Sequence, residues 1–383
     1  MLFYSSNMRN NAAFFALVKA GMRDDKTVHD LSFVDHECLD VDWEKVYRLA
    51  TEQSVLGLVL AGIEHLPIEQ LPPKKLLLQL IGEVQMIEQR NRVMNIFVAK
   101  LIERLRVAQV YALLVKGQGV AQCYEKPLWR SPGDVDLFLS ADNYKIAKSI
   151  LIPIASSVEK EYINAKHLGM TVDGWNVELH GSLRVGLPNR INRELEDIQS
   201  DTFYSGNVRS WNNGGTQIFM LGKENDIVYV FVHFLNHFYK EGVGLRQICD
   251  WCRLLWKYRN EIDVKKIERR IRKMGLVSEW KAFGAFAVDY LGMSSKAMPM
   301  YSPNEKWKRK ADIICSFILE VGNMGHNRDM SYLQKYPYLI RKVISLSRRS
   351  GDIFRHSRIF PLDSLRFFPY IIFNGLRSAV RGE

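Results

Sequence analysis

The stretch 113–140, LLVKGQGVAQCYEKPLWRSPGDVDLFLS, is the part of the sequence that decides the fold class. It opens within the short apolar run 111–115, which stops at Lys116-Gly117 as a buried strand does. It closes on 134–139, where acidic or aromatic side chains alternate with aliphatic ones at the period of a strand. Two strands joined by a glycine-containing connection therefore predict a small sheet in the middle of the chain.

Two carboxylates lie at the start of the second of these strands. Asp134 and Asp136 are two residues apart, so an extended backbone places both on one face and the aliphatic residues on the other. Gly133 before them permits a tight turn or the close approach of a ligand. Adjacent carboxylates repel one another unless a cation lies between them, and oxygen ligands favour Mg²⁺ or Mn²⁺. The pattern predicts a metal site, although an Asp-X-Asp on a strand also occurs without a metal.

A third acid follows on a predicted β-hairpin. Asp173-Gly174 divides the alternating run 167–180, and Asp-Gly between two such runs is typical of a two-residue hairpin turn. On the second strand of the hairpin, Asn176, Glu178 and His180 share a face. If this strand lies beside the strand with the two aspartates, Glu178 joins them. Three carboxylates around two metal ions suit in-line phosphoryl chemistry.

Helical patterns lie on both sides of this strand-containing region. The expected helices cover 42–66, 74–107, 141–151 (capped by Ser140), 223–240, 244–259, 263–274, 279–291 and 305–322. The sequence therefore predicts an α+β protein. Its four expected parts are an N-terminal helical domain 1–108, an α/β core 109–222, a helical domain 223–325 that closes the cleft, and a basic, aromatic-rich segment 326–383.

The composition is that of an ordinary globular protein with a basic surplus. Hydrophobic residues make up 47% of the 383 residues and charged residues 25%, which excludes a disordered, collagen-like or disulfide-scaffold protein. The formal net charge is +11, and a net +7 falls in 335–383, where ten basic residues face three acidic ones. The surplus permits contact with phosphates, nucleic acid or an anionic membrane surface, and it dictates none of them.

The sequence shows no signal for secretion or membrane insertion. No stretch reaches the roughly 18 apolar residues that a spanning helix needs. The apolar run 12–18 lacks the small-residue cleavage site of a signal peptide. The five cysteines, at 38, 123, 249, 252 and 315, fit reduced and buried thiols. We therefore expect a cytoplasmic protein.

The order of a strand with glycine, then Gly-Asp-hydrophobic-Asp, then a third acid resembles the polymerase-β-type nucleotidyltransferase superfamily. More narrowly, the chain resembles a bacterial family named uncharacterised nucleotidyltransferase, over roughly residues 40–290. The matching positions are Lys116, Gly117, Tyr124, Pro127, Arg130 and 133–139, then Glu178-Leu-His180, and then His233, His237, Gly242, Gly244, Leu245, Arg246 and Asp250. The superfamily's usual Gly-Gly or Gly-Ser is Gly117-Gln118 in this chain.

The resemblance implies a polymerase-β-like core with a small mixed sheet, flanked by the two helical domains. It implies transfer of a nucleoside monophosphate from an NTP, such as ATP, to an acceptor, with release of pyrophosphate. The residues implied to bind Mg²⁺ or Mn²⁺ and to catalyse are Asp134, Asp136 and Glu178. Those implied to bind the nucleotide are Lys116, Gly117, Gln118, Gly119, Arg130 and Gly133, and those implied to line the substrate cleft are His180, His233, His237 and Arg246. The acceptor is left open as a small molecule, a sugar, a protein or RNA.

Four of these residues have a second interpretation. Lys116 and Arg130 can neutralise phosphates, or they can pair with the aspartates when no metal is bound. His233 and His237 are four apart on a predicted helix. That spacing can bind zinc, but such histidines also line clefts or donate hydrogen bonds within the core.

Two further motifs lie on the helix expected over 244–259. Arg246 and Asp250 are spaced for an ion pair within the helix, although Arg246 can instead point at the nucleotide or the acceptor. Cys249 and Cys252 form a lone C-x-x-C, which two thiols on an apolar helix face explain better than zinc or redox chemistry. The segment 117–122 lacks the third glycine of a dinucleotide fingerprint.

The segment 326–383 leaves its role open. Its aromatic residues can form the core of a last helix pair, or the segment can make peripheral contact with anionic lipid or bind nucleic acid. No DNA- or RNA-reading module is recognisable in the sequence. We predict a metal-dependent nucleotidyltransferase. The rivals are a non-catalytic nucleotide-binding or regulatory protein on the same fold, and a basic nucleic-acid-binding protein.

Overall fold

The computed structural model describes residues 2–23, 41–163, 166–240, 242–323, 335–362, 364–366 and 369. The α-helices among them are α1 (Leu2–Gly21), α2 (Trp43–Glu52), α3 (Leu56–Ile63), α4 (Lys74–Val107), α5 (Gly117–Ala121), α6 (Ala141–Leu151), α7 (Asn189–Phe203), α8 (Lys223–Lys240), α9 (Leu245–Lys257), α10 (Val264–Met274), α11 (Val277–Asp289), α12 (Glu305–Val321) and α13 (Tyr338–Ile359). The strands are β1 (Ala112–Val115), β2 (Val135–Leu139), β3 (Ser157–Val158), β4 (His167–Val172), β5 (Trp175–His180), β6 (Val208–Asn213) and β7 (Thr216–Leu221).

The strands form one mixed sheet in the order β3-β4-β5-β2-β1-β7-β6. The pairs β2–β5 and β1–β7 are parallel, and the other neighbours are antiparallel. The predicted hairpin is confirmed, because Val172 pairs with Trp175 across a turn in which Asp173 and Gly174 have φ of +50° and +79°. Positive φ at both central residues is typical of a type I′ turn. The α+β class predicted from the sequence is confirmed.

Each face of the sheet is covered by helices that bury apolar side chains. On one face, Leu114 and Leu137 lie in a core with Leu105 of α4 and Ala147 of α6. On the other face, Leu113, Val115 and Phe138 share a larger core with α1–α3 and α8–α12. The ring centroids of Phe15 in α1 and Phe286 in α11 are 6.2 Å apart within that core. The helices before and after the sheet therefore pack together, and the division into four parts stays a prediction.

One helix prediction is wrong. The pattern over 42–66 predicts a single helix, whereas α2 and α3 are separated by Gln53, Ser54 and Val55. Ser54 has φ of +56°, which ends α2. The buried Gln53 amide accepts a hydrogen bond from Leu245 N and donates one to Ile318 O. The break exists because this side chain connects α2 to two distant helices, which local periodicity cannot register. The predicted bounds of α4, α6 and α8 are confirmed.

The cysteines in the described part of the chain are buried and unbridged: Cys123, Cys249, Cys252 and Cys315. Cys38 lies outside the described residues. Burial raises the pKa of the Cys123 thiol to about 11, and it raises the pKa of Cys249 well above its usual value. The C-x-x-C pair on α9 is therefore part of the apolar core.

The C-terminal segment contributes part of the core. Ile359 and Phe360 at the end of α13 are buried, and the ring centroid of His356 lies 4.6 Å from that of Phe238. Phe354, by contrast, is 64% exposed. Four more aromatic residues of the segment, Phe367, Phe368, Tyr370 and Phe373, lie outside the described residues. Within the part of the chain that the structure describes, no helix has both the length and the apolar character needed to cross a membrane.

Candidate active site

The predicted carboxylates come together where β2 and β5 run side by side. Asp136 on β2 and Glu178 on β5 are register partners. Asp134 lies immediately before β2 and is exposed. All three line a cleft of about 690 Å³. The strand that carries Glu178 thus lies beside the strand that carries Asp136, which is the condition on which the predicted three-carboxylate cluster depends.

Asp136 is held by two groups that carry or can carry positive charge. The Lys116 ammonium lies 2.6 Å from its Oδ1, and His180 Nε2 lies 2.9 Å from the same oxygen. Lys116 Nζ is also 3.1 Å from His233 Nε2. The backbone of Lys116 has φ of +57° and ψ of −145°, a conformation that costs a non-glycine residue about 1–3 kcal/mol. Strain of this kind persists where the surrounding contacts require it, and here the turn between β1 and α5 delivers the ammonium to Asp136.

The charges in the cleft perturb one another. Partial desolvation in the cleft, followed by the charges of Glu178 and Asp136, raises the pKa of the Asp134 carboxyl. Burial alone would lower the pKa of Lys116, but nearby Asp136 outweighs it and the pKa is raised. Burial and the Lys116 charge lower the pKa of His233 well below its usual value. Lys116 is therefore charged and His233 is neutral at pH 7.

Two histidines lie close to the Glu178 carboxylate. Its Oε2 lies 3.2 Å from His167 Nε2 and 3.4 Å from His180 Nε2. Burial would raise the pKa of Glu178, but these histidines and the Lys116 charge outweigh it, so the pKa is lowered. The pKa of His180 is raised by Asp136 and Glu178 against the opposing effect of its burial. Glu178 is therefore ionised across the physiological pH range.

The residues predicted to bind the nucleotide separate into two groups. The first group reaches the cleft and consists of Lys116, Gly117, Arg130 and Gly133. The second, Gln118 and Gly119, is buried in packing. Gln118 donates to Asn91 Oδ1 over 2.7 Å, and a Cβ on Gly119 would lie 2.9 Å from Met220 Sδ. These two residues fasten α5 to α4 and β7, away from the cleft.

Arg130 lies in a buried network at the edge of the cleft. Its Nε and Nη2 donate to the two carboxylate oxygens of Asp250 over 2.7 and 2.8 Å. The Tyr124 hydroxyl donates to the same carboxylate over 2.7 Å. A two-point guanidinium–carboxylate contact is among the strongest polar contacts in proteins. Arg130 thus pairs with an aspartate, as the second interpretation has it, but with Asp250 and not with Asp134 or Asp136.

The prediction of an ion pair between Arg246 and Asp250 is wrong, because the Asp250 carboxylate accepts its hydrogen bonds from Arg130. Arg246 Nη1 instead donates to the carbonyl oxygens of Ser131 and Pro132 over 3.0 and 2.9 Å. Burial and the nearby Arg130 charge lower the pKa of Arg246. Arg246 thereby supports the loop that leads to Gly133 and Asp134.

The histidines on α8 line the same cleft. The ring centroids of His233 and His237 are 4.7 Å apart, and both residues line the cleft that contains the carboxylates. His167 is a cleft residue that we did not predict. The hairpin could have indicated it, because a two-residue turn at 173–174 makes His167 the register partner of His180.

The site and the sheet agree with the result of comparing the sequence with protein families. A family model described as uncharacterised nucleotidyltransferase matches residues 40–292, which is more than half of the chain. The chain belongs to this family of nucleotidyltransferases. The matched range contains the entire sheet and every charged residue of the cleft named above. No curated protein and no solved structure matches the chain.

Proposed function

We propose that the protein is a metal-dependent nucleotidyltransferase with a polymerase-β-type centre. It would move a nucleoside monophosphate from an NTP to an acceptor and release pyrophosphate. The observation that carries this proposal is the register pairing of Asp136 with Glu178, with Asp134 beside them, in a member of a nucleotidyltransferase family. Besides these acids and Asp250, the charged residues of the cleft are cationic: Lys116, Arg184, Lys240 and Arg246, together with Arg130, which is paired with Asp250. A cleft of that charge suits a polyanionic triphosphate.

The carboxylates fit a hard divalent cation. Partial desolvation in the cleft, followed by repulsion from the charges of Glu178 and Asp136, raises the pKa of Asp134. Carboxylate oxygens are the ligands that Mg²⁺ and Mn²⁺ prefer. Asp134, Asp136 and Glu178 would hold the metal, which when bound would activate the attacking oxygen and stabilise the leaving pyrophosphate.

The surrounding residues would position and neutralise the substrate. Lys116 places a fixed positive charge beside Asp136, where it can offset the charge of a bound phosphate. Arg246 holds the carbonyl groups of Ser131 and Pro132, which orients the loop before Asp134. Since the pKa of Glu178 is lowered, we assign this residue to metal binding and not to removal of a proton from the acceptor.

The position of the transferred label tests the reaction type. The protein is mixed with Mg²⁺, fractions of a cell extract, and each NTP labelled either at the α- or at the γ-phosphate. We expect the α label to enter an acceptor and the γ label to leave as pyrophosphate, with no transfer in the presence of EDTA. Transfer of the γ label would indicate a kinase. Nucleotide binding without any transfer would support the non-catalytic alternative.

A further inference from the structure

A histidine pair lies beside the carboxylates and contributes ligand atoms of a different kind. His167 on β4 and His180 on β5 are register partners, and their ring centroids are 4.8 Å apart. Both Nε2 atoms lie near one oxygen of Glu178, at 3.2 and 3.4 Å. Among the residues that the structure describes, these three form the group whose candidate ligand atoms all lie within 4.8 Å of one another.

The distances from the Glu178 oxygen to the two imidazole nitrogens fit a common metal ion. Bonds of about 2.0–2.1 Å from one metal to imidazole nitrogen and carboxylate oxygen place neighbouring ligand atoms about 2.8–3.4 Å apart in octahedral or tetrahedral geometry. The two distances from Glu178 Oε2 to the histidines fall within those limits, and the two histidine ligand atoms lie within 4.8 Å of each other. Each side chain is between 12% and 31% exposed, so the group faces the cleft and is accessible to an ion.

We propose that His167, Glu178 and His180 form a binding site for a divalent transition metal such as Zn²⁺ or Mn²⁺. Two imidazoles and one carboxylate are a donor set that transition metals accept and that Mg²⁺ does not favour. Three protein ligands leave coordination positions open toward the cleft, as in catalytic rather than structural zinc sites. Glu178 would be shared between this position and the oxygen-only position that it forms with Asp134 and Asp136, and the two positions differ in the chemistry of their other ligands.

The histidine site adjoins the carboxylates of the proposed reaction centre. His180 Nε2 is 3.4 Å from Glu178 Oε2 and 2.9 Å from Asp136 Oδ1, so it lies between the two positions and would give up its contact with Asp136 when it binds the metal. The role of the metal in the reaction rests on the proposed function, since it would lie next to the bound triphosphate. The binding of the metal does not rest on it, because the ligand atoms are present without a nucleotide.

Titration with metal alone tests the site. Apo protein, prepared with a chelator, is titrated with Zn²⁺ by calorimetry and with Co²⁺ by visible absorption. We expect one ion per chain and a Co²⁺ absorption band characteristic of nitrogen ligands. His167→Ala and His180→Ala should each weaken Zn²⁺ binding by about 100-fold or more, because loss of a direct ligand costs more than loss of an outer contact. His65→Ala is the matched control, since His65 is exposed and outside the cleft.

Folding of the variants is checked by circular dichroism, and His167→Asn provides a second, polar replacement at the more exposed histidine. Wild-type protein that binds neither Zn²⁺ nor Co²⁺ would overturn the inference, as would unchanged affinity in folded His167→Ala and His167→Asn proteins. The two histidines would then serve as hydrogen-bond partners of Glu178. Zinc bound through His167 and His180 in a protein that transfers no nucleotide would leave this inference standing and overturn the proposed function. Nucleotide transfer that depends on Mg²⁺ alone, in a protein that binds no zinc, would support the proposed function and overturn this inference.

Discussion

Asp136 on β2 and Glu178 on β5 are register partners on neighbouring parallel strands. Cross-strand partners present their side chains to the same face, so the two carboxylates lie side by side in the cleft. His180 contacts both of them, at 2.9 Å from Asp136 and 3.4 Å from Glu178. Lys116 adds a fixed positive charge on the Asp136 side. This balance lets the protein keep several acids together before a cation or a nucleotide binds.

The buried ion pair of Lys116 and Asp136 should couple the contributions of the two residues to the free energy of unfolding. In the presence of EDTA, Lys116→Met should lower the free energy of unfolding by about 3–5 kcal/mol, because it leaves the Asp136 carboxylate without its ammonium partner. Lys116→Met/Asp136→Asn should lose less than the sum of the single variants. Urea unfolding of the four proteins gives the coupling energy.

The exposed pair Lys145–Asp142, with an N···O distance of 3.7 Å, is the control for this cycle. Its coupling energy should be close to zero, because both side chains are solvated. Additive losses for Lys116 and Asp136 would show that the short contact between them contributes nothing to stability.

Arg130 should affect stability more than nucleotide affinity. Arg130→Met leaves the Asp250 carboxylate buried without its two guanidinium hydrogen bonds, so we expect a loss of about 3–5 kcal/mol in urea unfolding. Arg48→Met is the control, because Arg48 is exposed on α2 and its contact with Glu52 is weak. A variant at Arg130 that is as stable as the Arg48 variant but binds NTP more weakly would return Arg130 to the role of a phosphate ligand.

The cysteines in the described part of the chain should be unreactive in the folded protein. Burial raises the pKa of Cys123 to about 11 and that of Cys315 to about 12, so both thiols are protonated at pH 8. In a Cys38→Ser protein, we expect an aromatic disulfide reagent to modify no thiol under native conditions and all four in urea. Rapid modification of a native thiol would contradict the packing of the core.

The sequence predicts those features that depend on local period and turn chemistry. Alternation along a strand places Asp134 and Asp136 on one face, and Asp173-Gly174 fixes the hairpin that carries Glu178. The same turn also fixes the pairing of His167 with His180, so the histidine pair could have been predicted from the sequence. These relationships need only one or two neighbouring elements.

The features that the sequence does not reveal depend on packing between distant elements. Asp250 accepts from Arg130 and not from Arg246, because the fold brings the connection before β2 against α9. Gln118 turns into the core because Asn91 of α4 accepts its hydrogen bond. Gln53 interrupts a helical pattern to bind the backbone at Leu245 and Ile318. In each case the hydrogen-bond partner is determined by tertiary contacts between distant elements, which a local sequence pattern does not contain.

The most direct test of the central claim compares two aspartate variants in the label-transfer assay. Asp134→Asn removes an exposed carboxylate and should leave folding intact. Asp142→Asn makes the same change at the exposed start of α6, outside the cleft. We predict that transfer of the α-phosphate label falls by about 100-fold or more in Asp134→Asn, as expected when a metal ligand is lost. We predict no change in Asp142→Asn. Equal transfer by the two variants would contradict a catalytic centre built on the carboxylates of β2 and β5.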